Sequence, residues 1–135
     1  MNVISLLLAS ILALATLGEA AAQTPATPQK AVAGPALDVL KGSWVRPDGG
    51  YRIVVNGVAA DGHLEAMYFN PSQLPFAKAQ ASRDGATLRV FLELTAGGYG
   101  GSTYALTYEQ ASDRLVGTYY QAVAKQKFDV YFARK

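Results

Sequence analysis

The residues most able to do chemistry in this chain are its tyrosines, of which there are eight. Tyr51, Tyr68, Tyr104, Tyr108 and Tyr119, with Gln121, fall on the same side of their alternating segments. A phenol joins a large apolar ring to a hydroxyl that both gives and takes a hydrogen bond, which suits the wall of a small pocket. Asn70, two residues after Tyr68, and Tyr99, inside the glycine-rich stretch 97–101, complete a candidate ligand-binding set. The same tyrosines can instead fill a core, and the spacing alone leaves both uses open.

Catalytic alternatives find less support. His63 is the single histidine, and there is no cysteine. One imidazole without thiolates cannot assemble the usual metal sites. Ser102 lacks the sequence context of a nucleophile elbow. Glu65, Glu93 and Asp129 fall on outward positions of separate segments, as surface charges rather than paired acid and base. The glycine stretch lacks the Lys-Ser/Thr ending of a phosphate loop, and a strand pattern follows it where a phosphate site needs a helix N-terminus. It reads as a connection carrying Tyr99, placed to cover a barrel mouth. The expectation is a non-enzyme with no catalytic set, no metal and no cofactor.

The elements that must position these residues alternate with period two, as half-buried strands do. In one segment Leu88, Val90, Leu92 and Leu94 oppose Arg89, Phe91 and Glu93; in another Phe128, Val130 and Phe132 oppose Lys127, Asp129 and Tyr131. Eight strands are predicted, over 42–46, 51–58, 63–69, 76–82, 87–95, 103–109, 114–122 and 127–133. Turn signals separate them, among them Pro47-Asp48-Gly49-Gly50, Asp61-Gly62, Asn70-Pro71, Asp84-Gly85 and Ser112-Asp113. Connections this short favour antiparallel neighbours. Closing such a meander removes its exposed edges, so the predicted fold is an all-β, eight-stranded antiparallel up-and-down barrel, with a β-sandwich as the alternative.

The folded domain is expected over residues 37–135, because every aromatic residue lies from Trp44 onward. Residues 23–36 carry prolines and alanines but no aromatics, as a flexible tether does. Residues 1–22 read as a signal peptide. The apolar run 3–17 falls short of the roughly 20 residues of a membrane helix, and Ala20-Ala21-Ala22 supplies a small-residue cleavage site. The implied location is periplasmic or secreted, with no membrane span after cleavage. The formal net charge of +2 is spread without a basic run, which speaks against nucleic acid as a partner.

Gly42-Ser43-Trp44 at the first strand resembles the Gly-x-Trp opening of lipocalin-like and avidin-like (calycin-type) barrels. Leu40 to Trp44, then Tyr51 to Val55, then Asp61-Gly62-His63-Leu64, is similar in order to the first hairpins of avidin-like proteins. In that superfamily the tryptophan closes one barrel end under a basic residue of the last strand, and the resemblance implies that role for Trp44 and Arg134. Biotin sites in that family use several tryptophans and polar residues just after the first strand. This chain has one tryptophan, and Val45, Arg46 and Pro47 stand at those positions. Tyr68-Phe69-Asn70-Pro71, the 97–104 stretch and Leu115-x-Gly117-x-Tyr119 also resemble small bacterial secreted proteins, which implies export and a barrel but no activity. The combined expectation is an exported binding protein holding a small apolar or aromatic ligand in a barrel mouth. A protein-interaction module, such as an inhibitor of a secreted hydrolase using residues 23–36 as its contact, is the alternative.

Overall fold

The computed structural model describes residues 35–95 and 98–135. The expected signal peptide over 1–22, and the expected tether as far as residue 34, lie outside the described residues. A single 3-10 turn, Leu37–Leu40, leads into eight strands: β1 (Gly42–Val45), β2 (Arg52–Val58), β3 (Leu64–Asn70), β4 (Ser72–Asp84), β5 (Thr87–Leu94), β6 (Thr103–Glu109), β7 (Arg114–Gln121) and β8 (Gln126–Arg134). Each pairs antiparallel with the next, and β8 returns to β1 through Trp44↔Arg134 and Val45↔Ala133. The sheet is therefore a closed up-and-down barrel, and the sandwich alternative is set aside.

Alternation places the core. Ile53, Leu88, Leu92, Leu94, Leu106, Leu115 and Phe132 are buried inside, while Arg89, Lys127 and Asp129 face out. Two expectations need correction. β4 begins at Ser72, not near residue 76, because Asn70 pairs with Ser72 directly across Pro71. Pro75, which cannot donate to a ladder, masked the strand character of this stretch. A register shift between Phe76 and Lys78 then lets β4 turn from β3 toward β5. Phe128, expected inside, is 45% exposed, because it lies near the end of the β7–β8 hairpin, above the packed layers.

The topology sorts the connections into two ends. The turns β1–β2, β3–β4 and β7–β8 and the β5–β6 connection gather at one end, where the mouth lies. The lead-in turn and the other connections close the opposite end. Trp44 and Arg46 are two residues apart with the same parity, so the short β1 serves both ends.

Candidate functional site

The closed end is built on Trp44. Its indole N–H donates to the Leu40 carbonyl at 2.9 Å, fastening the lead-in turn beneath the barrel. The Arg134 guanidinium lies 4.2 Å from the indole centroid. It donates to the carbonyls of Lys41 and Val39, both at 2.7 Å, and grips Asp113 through Nε at 2.6 Å. Gly42 makes this possible: its φ is +129°, and a Cβ there would come within 2.8 Å of Arg134 Nη1. Tyr108, placed by parity with the pocket residues, belongs to this end instead. Its hydroxyl donates to Asp113 at 3.0 Å and its ring meets Trp44 edge-on at 6.2 Å. It does not line the mouth.

The mouth is built from cross-strand neighbours. The Arg46 N–H donates to the Tyr51 carbonyl at 2.8 Å, closing the β1–β2 turn and setting the two side chains opposite each other. The Arg46 guanidinium consequently lies 4.6 Å from the Tyr51 ring centroid, with Tyr119 at 5.6 Å from it as well. Tyr104 and Tyr119 are register partners on β6 and β7, and their rings stack at 4.6 Å. Tyr51 and Tyr68 lie almost parallel, 8° apart, at 6.2 Å. The Tyr68 and Tyr104 hydroxyls meet across the barrel at 3.2 Å, and Arg46 Nη1 donates to Tyr104 at 3.1 Å. Asp48 takes the other edge of Arg46, from Nε at 2.6 Å and Nη2 at 2.9 Å.

Above these hydroxyls lies a pocket of about 150 Å³. Arg46, Gln121 and the tyrosines Tyr51, Tyr68, Tyr99, Tyr104 and Tyr119 line it. Asn70 stands behind this wall, donating to the Tyr99 hydroxyl at 2.7 Å. Ser102, fully buried, accepts the Ala122 N–H at 3.1 Å and so ties the connection carrying Tyr99 to the β7–β8 turn. A larger depression of about 360 Å³ on the outer wall, between Pro47, Asp48 and the Asp129–Tyr131 edge, gathers no comparable ring of side chains.

Electrostatics fix the protonation states at the mouth. Burial pushes Tyr68, Tyr104 and Tyr119 above the ordinary phenol range. All three stay protonated at neutral pH and serve as hydrogen-bond donors. Burial also opposes the Arg46 charge, but Asp48 and Tyr104 outweigh it and hold its pKa above the ordinary value. The Arg46 guanidinium in turn lowers Asp48.

Arg46 is the mouth residue that sequence reasoning missed. It stands where the biotin-site pattern has a polar ligand contact, and its parity with Gly42 and Trp44 points it inward. The remaining candidates are dispersed. His63 and Glu65 are exposed on β3 and its approach, Glu93 is half-buried on β5, and Asp129 is exposed on β8. Among the described residues, no group of three or more His, Cys, Asp or Glu is placed to hold a metal ion, and no helix is long and apolar enough to cross a membrane.

The fold and the mouth define a class: a closed eight-stranded barrel, plugged at one end and carrying a tyrosine-lined pocket at the other. No protein-family model, curated protein or solved structure matches the chain.

Proposed function

We propose that this chain is an exported, non-enzymatic, calycin-type binding protein that holds one small aromatic ring in the mouth of its barrel. The observation that carries this reading is the 150 Å³ pocket walled by five tyrosines. A cavity near that size accommodates a benzene ring. Its walls are ring faces and edges, which favour another flat ring. The Tyr68 and Tyr104 hydroxyls bond each other, so neither is left unpaired when a flat ring covers them. The ligand class therefore narrows from apolar or aromatic to aromatic. Export to the periplasm or beyond is supported by the apolar run 3–17 and its Ala-Ala-Ala exit. The charged outer wall and apolar interior are the reverse of a lipid-embedded barrel.

Native mass spectrometry of protein secreted from the full-length chain tests this. A reproducible small-molecule adduct, retained in wild type and lost in Tyr68→Ala and Tyr104→Ala, is the expected result. An adduct that survives both substitutions places any ligand elsewhere and overturns the proposal.

A further inference from the structure

We infer that the ring held at this mouth carries an acidic head, as in an aromatic carboxylate, and that Arg46 and the Tyr68–Tyr104 hydroxyl pair receive it. The inference rests on the reading of the mouth as a ring-binding pocket, and adds to it what the other end of the ligand must be.

The argument is a count of donors. A guanidinium has five N–H donors and no acceptor. Arg46 places two on Asp48 and one on Tyr104. Its other two have no protein partner among the described residues. The two facing hydroxyls bring two protons and make one bond between them. Arg46 already donates to Tyr104, so one hydroxyl proton is left over whichever phenol donates to the other. Tyr99 accepts from Asn70, and its own proton has no acceptor among the described residues. The pocket therefore holds a cation and surplus donors, all of which suit an acceptor with several lone pairs.

A carboxylate offers about four lone-pair sites on two oxygens. It also matches the planar guanidinium, which the rings of Tyr51 and Tyr119 flank at 4.6 and 5.6 Å. An amine would meet a charge of its own sign. Asp48 does not fill this role for the pocket: its side chain is 59% exposed, against 13% for Arg46, so it balances the cation from the solvent side. The raised phenol pKa values fit this picture, because protonated hydroxyls can donate to an anion.

Isothermal titration calorimetry on the full chain as secreted, using benzoate, benzamide and benzyl alcohol, tests the inference. Benzamide keeps the ring and a carbonyl but removes the charge. The expected result is benzoate bound about tenfold or more tighter than benzamide, from charge-assisted bonds to the guanidinium. Arg46→Gln is expected to erase that preference while leaving benzamide binding in place. Equal affinities for benzoate and benzamide overturn the acidic head and leave the ring pocket standing. If none of the three compounds binds, the ring pocket falls and the inference falls with it. Should Arg46→Gln fail to fold by circular dichroism, Arg46→Lys decides. It keeps the charge without the planar fork, so the benzoate preference is expected to shrink, and an undiminished preference removes Arg46 from the site.

Discussion

Each end of this barrel holds an arginine against aromatic rings and pairs it with an aspartate; a tyrosine hydroxyl accepts from the arginine at the mouth and donates to the aspartate at the closed end. At the closed end Arg134 lies over Trp44, grips Asp113, and sends further donors to the carbonyls of Val39 and Lys41. At the mouth Arg46 lies between Tyr51 and Tyr119, grips Asp48, and gives one bond to Tyr104. The same parts differ in what remains free. Arg134 binds the lead-in backbone to the barrel, so four of its five N–H donors are used within the fold. Arg46 faces a pocket and keeps two donors without a protein partner among the described residues. One arginine closes the structure and the other is left able to meet something else.

The largest expected effect separates the two arginines by stability. Arg134→Ala leaves two carbonyls without their donor, strips Asp113 of its ion pair and uncovers Trp44, and should cost about 2–4 kcal/mol in urea unfolding. Arg46→Ala breaks an ion pair whose acid is mostly exposed, one bond to Tyr104 and two ring contacts, but frees no backbone carbonyl, and should cost less, about 1–2 kcal/mol. Equal losses would break the comparison.

A second effect appears at alkaline pH. The folded-state pKa values of Tyr68 and Tyr104 lie above the ordinary 10.0. Their contribution is fully present below pH 10 and is lost as pH rises beyond it, when the unfolded chain ionises first. Thermal melts from pH 8 to 11 should show this loss, and Tyr68→Phe should reduce it.

Acid acts on both ends with the opposite sign. Asp113 is lowered below 3.8 by the Arg134 hydrogen bond and Asp48 by the Arg46 hydrogen bond. Each contributes stability above pH 3.8 that is lost as pH falls through the lower folded value. Melts between pH 5 and 2 should lose less in Asp113→Asn than in wild type. Asp48→Asn should change the profile less, since Asp48 does not hold the chain's lead-in.

The smallest effect on stability is expected at Gly49. A Cβ there would come within 2.0 Å of the Tyr51 ring. Gly49→Ala should swing Tyr51 out of the mouth and weaken aromatic-ligand binding by calorimetry, with little change in melting temperature.

The strand plan was legible because period two reports which face a side chain takes. Leu88, Val90, Leu92 and Leu94 show it without ambiguity. Parity does not report height along the barrel, and Tyr108 shows the consequence. It shares the inward face with Tyr104 but pairs with Leu115 near the β6–β7 turn, at the closed end. Tyr104 pairs with Tyr119 nearer the mouth. In an up-and-down barrel the turns alternate between ends, so counting residues from each turn would have separated them. Phe128 fails for a related reason, lying near its turn and beyond the packed layers. Arg46 was hidden by chemistry: a charge just past a strand end reads as solvated surface until Tyr51 and Tyr119 are known to flank it.

The most direct test of the contrast is an NMR titration with benzoate that follows the two arginine Nε–H signals together. The account predicts a saturating shift of the Arg46 signal, accompanied by Tyr99 and Gln121, while the Arg134 signal stays in place. A shift at Arg134 with none at Arg46, or equal shifts at both, would contradict it.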